Sequence, residues 1–217
     1  MEKATKMFTS NKGLFISFEG VDGCGKTTQV KLLRDKLLSE DDRVELVREP
    51  GGIKISEEIR KILLNPNNLS MNFQTEALLM IASRAQLTFD LIIPLLEKGN
   101  IVLADRFSDS TLAYQGGGRK LDINMLKLIN NFATKNLVPD LTFLIDISPD
   151  DAMKRANISS PDRIESAGID FQNKVRKTYL DLAKEFSHRF IVLDGYKSVN
   201  SIHSFIWNRI INYRKDE

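Results

Sequence analysis

The stretch Leu14-Phe15-Ile16-Ser17-Phe18-Glu19-Gly20-Val21-Asp22-Gly23-Cys24-Gly25-Lys26-Thr27-Thr28-Gln29 decides the fold. An apolar run leads into Gly20–Thr27, which has the form G-x-x-x-x-G-K-[ST]. A helical pattern follows, with Leu32, Leu33, Leu37 and Leu38 on its apolar face. The glycines let the backbone turn close around phosphate oxygens, so that main-chain N–H groups face inward as an anion nest. Lys26 adds a flexible positive charge at the outer phosphates, and the Thr27 hydroxyl offers oxygen to Mg²⁺, a hard cation. The helix that begins here points the positive end of its dipole at the same anion. Gly20, Val21, Asp22, Gly23, Cys24, Gly25, Lys26, Thr27 and Thr28 therefore form a candidate nucleoside triphosphate site.

The apolar run belongs to a strand over 13–19, and four further short runs read as strands at 44–48, 101–105, 141–147 and 189–194. Several lack an alternating polar face, as expected of parallel strands covered on both sides. Helical patterns fall between them over 25–39, 54–64, 72–98, 121–136, 149–156, 165–186 and 198–214, with Pro94 kinking or restarting the longest. This alternation predicts an α/β fold, a three-layer α/β/α P-loop NTPase architecture with a five-stranded parallel sheet flanked by helices. Residues 13–217 read as a single domain, and 1–12 as a loose N-terminal extension of mixed charge.

The 217 residues carry 31 Lys and Arg against 29 Asp and Glu, a net charge of +2 with no block of like charge. That balance argues against a nucleic-acid partner. The single cysteine, Cys24, excludes an internal disulfide, fits a reduced compartment and reads as a small filler in the loop. No apolar stretch approaches the roughly 20 residues of a membrane span, so a cytoplasmic protein with no membrane partner is expected.

In a doubly wound sheet, ligands bind beyond the carboxyl ends of the strands. The second strand ends in Arg48-Glu49-Pro50-Gly51-Gly52, which places Arg48 either to fork onto a phosphate or to pair with a nearby acid. The third ends in Asp105-Arg106-Phe107. Asp105 is a candidate Mg²⁺ partner beside Thr27, and Arg106 a candidate for a second phosphate group. Met80 and Arg84 share one helix face. Ser110, Thr111, Tyr114 and Gln115 gather groups able to read a base edge or a sugar, while Gly116-Gly117-Gly118 reads as a flexible loop. The polar segment 155–165, with Arg155 at its start and Arg163 near its end, reads as a mobile loop whose arginines either close over a triphosphate or stand as solvated loop residues. His188 and His203 stand alone and receive no role.

Taken together, Phe18–Gln29, Arg48–Gly52, Asp105-Arg106-Phe107 with Tyr114-Gln115-Gly116, and Asp162-Arg163-Ile164-Glu165 closely resemble the bacterial thymidylate kinases, from the first strand to the last helix. The resemblance implies transfer of the γ-phosphoryl of Mg-ATP to dTMP, giving dTDP for dTTP synthesis, in a homodimer. By position in the motifs, Lys26 would hold the β and γ phosphates, Thr27 and Asp105 would serve Mg²⁺, and Arg106 and Arg48 would grip the dTMP phosphate. Asp22 would face the acceptor 3′-hydroxyl. Arg84 and Met80 would lie along the thymine, Ser110, Thr111 and Gln115 near the base, and Tyr114 near C2′, where it crowds out a ribose hydroxyl. With Gly23 in the loop position that some members fill with arginine, the mobile segment 155–165 would be the lid and supply the catalytic arginine. Arg163 is the first choice for it, with Arg155 against the adenine or an outer phosphate.

Two departures from the family pattern stand out, a methionine at position 80 in place of an aromatic residue and a lid poor in arginine. The alternatives are a kinase for another nucleoside monophosphate or a deoxynucleoside, and a nucleotide-dependent switch. A guanine-reading N-K-x-D element, which a GTPase switch would need, does not occur in the chain.

Overall fold

Alternate residues of the first apolar run are buried on opposite sides of one sheet. Leu14, Ile16 and Phe18 pack into one apolar cluster, and Phe15 enters a second with Val102, Ala104 and Phe107. Such two-sided burial is what a parallel sheet covered by helices on both faces requires. The one polar side chain inside the strand, Ser17, is paired with Thr142 at 2.9 Å between hydroxyls. The structure is a computed structural model and describes residues 13–156 and 162–216. The extension expected over 1–12 and the lid positions 157–161 lie outside the described residues.

In chain order the elements are β1 (Leu14–Glu19), α1 (Lys26–Leu38), β2 (Val44–Arg48), α2 (Lys54–Leu64), α3 (Phe73–Leu87), a π-helical turn (Thr88–Ile92), α4 (Ile93–Glu97) and β3 (Ile101–Asp105). There follow α5 (Ser108–Thr111) running into a π-helix (Leu112–Gly118), α6 (Ile123–Thr134), β4 (Leu141–Asp146), α7 (Pro149–Ala156), a 3₁₀ turn (Glu165–Ala167), α8 (Ile169–Glu185), β5 (Phe190–Asp194) and α9 (Val199–Asp216). The strands form one parallel sheet in the order β2-β3-β1-β4-β5. β1 is central, with β3 on one side and β4 on the other, so connections leave it in opposite directions. The crevice at such a switch point, beyond the carboxyl ends, is where this architecture binds ligands. Register places Arg48 opposite Asp105, and Phe18 opposite Asp105 on the other side, so the three strand ends that matter lie level.

Three sequence expectations are corrected. The single helix expected over 72–98 is divided: α3 closes at Leu87, a wider turn spans 88–92, and α4 restarts with Pro94 in its first turn. Proline lacks the N–H a continuing helix needs, and a one-turn widening absorbs the mismatch. The glycine triplet is no flexible loop. It ends a buried helical segment against α8, where a Cβ on Gly117 would lie 2.0 Å from Thr178 Oγ1 and one on Gly118 2.3 Å from the Phe171 ring. Finally, the helical run Phe73–Glu97 is long and apolar enough to cross a membrane by length and composition, with a mean hydropathy of 1.5 over its best window. Here it packs against α2 and α6, and one third of that window is buried.

Candidate active site

The loop between β1 and α1 forms one wall of a cleft shared with Arg48, Asp105, Arg106 and Arg155. Gly23 is held at φ +83, and a Cβ there would stand 2.1 Å from the Ala152 carbonyl oxygen, so only glycine fits. Lys26 is buried and donates from Nζ to the carbonyls of Gly20 at 3.0 Å and Val21 at 2.9 Å. That fixes its ammonium across the mouth of the loop. Thr27 Oγ1 donates to Asp105 Oδ2 at 2.6 Å, bringing together two oxygens from positions 78 residues apart. Arg155 is held by the Gly195 carbonyl at 2.7 Å and lies over the Tyr196 ring. Arg48 lines the cleft, and Nη2 pairs with an acid, Glu57 Oε1, at 2.7 Å, the second of the two sequence readings.

Arg106 is the hinge between this cleft and a second one. It sits at φ 76, a left-handed conformation that costs a non-glycine residue of the order of 1 kcal/mol or more and recurs at ligand clamps. The surroundings over-determine it. Nη1 donates to the Gly20 carbonyl, Ser110 Oγ and Tyr179 Oη, and Nη2 to Asp22 Oδ1 at 2.5 Å and Tyr114 Oη at 3.0 Å. Tyr114 in turn donates to Asp22 Oδ2 at 3.0 Å, closing a triangle of three predicted residues. Burial works to raise the Asp22 carboxyl, but Arg106 and then Lys26 outweigh it and hold the pKa at about 2. Asp22 is therefore ionised throughout the neutral range.

Beneath Arg106 lies Glu19, with no exposed surface. It accepts from the Phe107 N–H at 2.8 Å, Ser110 Oγ at 2.6 Å and Tyr179 Oη at 2.8 Å. Burial and then the charge of Asp109 raise its pKa to about 7, against the opposing pull of Arg106. Ser110, expected near a base, thus spends its hydroxyl on Glu19 and Arg106, and it lines the second cleft beside Arg106.

That second cleft is lined by Met80, Arg84, Thr111, Tyr114 and Gln115, with Asp22 and Arg106 shared with the first. Arg84 donates four hydrogen bonds, to Glu49 Oε2, Thr111 Oγ1, Asn130 Oδ1 and the Phe107 carbonyl, and its Nη2 also stands 2.6 Å from Glu49 Oε2. It therefore offers this cleft a flat, fixed cationic surface, with Met80 one helical turn earlier. Glu49, buried beside it, has its carboxyl raised by desolvation despite the Arg84 charge.

Four predicted residues line neither cleft: Gly20, Val21 and Cys24, which form the buried side of the loop, and Arg163. Arg163 is buried, donating from Nε to the Leu63 carbonyl at 2.9 Å and from Nη1 to Glu76 Oε2 at 2.6 Å. Here it clamps the lid root to α2 and α3, away from the clefts, where the sequence expectation had it facing a transferred phosphoryl. Its neighbours Asp162 and Glu165 do reach the second cleft, braced by mutual capping of their backbone N–H groups.

Sequence reasoning missed Arg60, which lines both clefts and holds the Pro50 carbonyl at 2.9 Å. Burial, then the charge of Arg48, lowers its pKa. In the helical pattern of 54–64 an inward arginine cannot be told from a solvated one, and only its chain distance of one helix from Arg48 hinted at it.

Comparison with known proteins follows the same lines. A family model described as thymidylate kinase matches residues 18–206. A thymidylate kinase from Thermoanaerobacter sp. (strain X514) is 47% identical over 202 residues, covering 93% of this chain and 99% of its own. One from Thermosipho melanesiensis is 49% identical over 203 residues, covering 94% and 100%. The crystal structure of a thymidylate kinase from Ehrlichia chaffeensis superposes with a TM-score of 0.75 at 33% identity, covering 92% of this chain and 98% of that one. The chain belongs to the thymidylate kinase family, whose members are nucleoside monophosphate kinases.

Proposed function

We propose that the cleft over the phosphate loop holds ATP, that the second holds dTMP, and that the γ-phosphoryl passes between them at the wall formed by Asp22, Arg106 and Tyr114. The observation that carries this reading is the sharing of Asp22 and Arg106 by both clefts. Two anionic nucleotides must meet with their phosphates in line, and the protein's work is to position them and to neutralise charge. Lys26 and the loop N–H groups take the donor phosphates. Arg106, Arg48 and Arg60 concentrate positive charge where the acceptor phosphate enters. Tyr114, its hydroxyl tied to Asp22 and Arg106, holds its ring rigid against the acceptor sugar, which disfavours a 2′-hydroxyl.

The donor set fits Mg²⁺. Thr27 and Asp105 place two oxygens side by side, and among the described residues no group of three or more His, Cys, Asp or Glu could hold a metal without further ligands. A cation held there needs phosphate oxygens to complete its shell, the usual habit of Mg²⁺ in phosphoryl-transfer sites. When bound, it supplies neutralisation of charge on the triphosphate.

Residues 13–217 act as one kinase domain with a lid at about 155–165, in the cytoplasm. A homodimer is supported by an apolar surface across α3, its π turn and α6, where Leu78, Phe89, Met125, Leu128 and Phe132 are exposed. Phe132 is 87% exposed, an unusual position for a large aromatic on a helix with no partner.

The test is ADP production from Mg-ATP with dTMP, its ribose counterpart, dUMP, dCMP, dGMP and thymidine offered separately. Strong preference for dTMP over the ribose form is expected. ATP hydrolysis with no acceptor stimulation would contradict the reading and favour a switch.

A further inference from the structure

Glu76 lines neither cleft, yet it fixes a group that lines the second. It stands on α3 with no exposed surface. Its Oε1 accepts from Gln115 Nε2 at 2.9 Å and Arg119 Nε at 3.1 Å, and its Oε2 from Arg119 Nη2 at 3.2 Å and Arg163 Nη1 at 2.6 Å. Burial works to raise its carboxyl, but the hydrogen bonds from Arg119 and Gln115 and the Arg119 charge hold it below the ordinary carboxylate value. At neutral pH it is an acceptor and nothing else.

A side-chain amide has one donor end and one acceptor end, and turning it over exchanges them. Next to an ionised, buried carboxylate only the donor end of Gln115 is tolerated, because the reverse sets oxygen against oxygen out of reach of water. Gln115 is itself buried, and among the described residues nothing donates to its Oε1. That oxygen is the end left for the cleft, which it shares with Met80 and Thr111.

We propose that Glu76 is a positioning residue for base selection: by locking the Gln115 amide with its oxygen toward the acceptor, it selects bases with a ring N–H donor. Thymine and uracil carry one at N3, whereas cytosine presents an acceptor at N3 and meets the Gln115 oxygen in repulsion. This inference rests on the placement of dTMP in the second cleft.

Glu76→Gln reverses the lock. The charged Arg163 donor at 2.6 Å keeps the oxygen of the introduced amide on its own side, so the NH₂ faces Gln115 and Arg119 Nε. Arg119 Nε loses its acceptor, and Gln115 turns its oxygen inward and its NH₂ to the cleft. The measurement is kcat/KM for dTMP, dUMP and dCMP in wild type, Glu76→Gln, Glu76→Asp and Gln115→Leu. The dTMP-to-dCMP ratio should fall by about tenfold or more in Glu76→Gln, since a reversed hydrogen-bonding group changes discrimination far more than a lost methylene. Glu76→Asp retains a carboxylate and should retain most of the ratio, which a merely structural role would not predict.

A Glu76→Gln protein with wild-type circular dichroism and ATP affinity that keeps the wild-type ratio overturns the proposal. Gln115→Leu separates the two layers. An unchanged KM for dTMP there overturns the cleft reading itself, and a raised KM beside an unchanged Glu76→Gln ratio overturns the role of Glu76 alone. If Glu76→Gln does not fold, wild type decides with N3-methylated dTMP. Turnover equal to that of dTMP overturns the proposal, and loss of turnover supports it.

Discussion

At the scale of single residues, charge placement does most of the work. Lys26 is fixed by two carbonyls of its own loop, so in the proposed reading its ammonium would meet the donor phosphates already oriented. Lys26→Met should lower kcat by about 10² or more, as loss of one preorganised donor does in other transfer sites, with little change in melting temperature. Steady-state ADP production checks it.

Glu19 gives a prediction with a sign. The folded chain keeps its proton up to about pH 7, while an unfolded glutamate gives it up near 4.5. Between those values the folded state binds more protons, so this group's contribution to stability is full below about 4.5 and is lost as pH rises through about 7. Glu19→Gln cannot titrate and should flatten that part of the melting-temperature curve between pH 5 and about 7.5. A variant curve parallel to the wild-type curve over the window would show that the proton is held elsewhere.

The loop residues, Asp105 and Arg106 were legible in sequence because a short motif or a strand end dictates their place. Glu76 and Tyr179 were not, since what defines them is a partner across the chain: Arg163 lies 87 positions from Glu76, and Glu19 lies 160 from Tyr179. For the same reason Arg163, read in one dimension as a lid arginine, proves to be a buried clamp.

Among elements, the segment Ser108–Gly118 is the one whose nature escaped the sequence. Glycine in threes lowers helix propensity and reads as loop, but α8 approaches so closely that no side chain fits at Gly117 or Gly118. The helical turns there carry Ser110, Thr111, Tyr114 and Gln115 to the clefts. Gly117→Ala should therefore destabilise the fold by about 1–3 kcal/mol through overpacking against Thr178. Thr178→Ala in the same chain should recover much of it, and a denaturant double-mutant cycle measures the coupling. Additive effects would show that the close approach is relaxed elsewhere. The strands, by contrast, were readable almost to the residue: β1, β3 and β4 are short apolar runs buried along nearly their whole length, and the more exposed β2 and β5 still end at Arg48 and Asp194 as expected.

Over the whole molecule, the alternation of strand and helix pointed to a parallel sheet with its ligand crevice beyond the carboxyl ends, while the strand order β2-β3-β1-β4-β5 is read from the structure alone. The apolar surface of α3 and α6 was not legible either, because an apolar stripe looks alike whether it faces a core or a second copy. Leu128→Lys together with Phe132→Lys should yield a monomer by light scattering if that surface pairs two copies. A wild-type chain that is already monomeric at micromolar concentration would remove the dimer from the picture.

The most direct probe of the wall proposed to join the two nucleotides is Arg106→Lys, which keeps the charge and removes the fork held by Asp22, Tyr114, Ser110 and Tyr179. The quantities to measure are KM for dTMP, kcat, and the Kd of Mg-ATP by calorimetry. A shared wall predicts a KM for dTMP raised about tenfold or more and kcat lowered about 10², with Mg-ATP binding within about threefold of wild type. An unchanged KM for dTMP, or a loss confined to Mg-ATP binding, would contradict it and move the acceptor out of the second cleft.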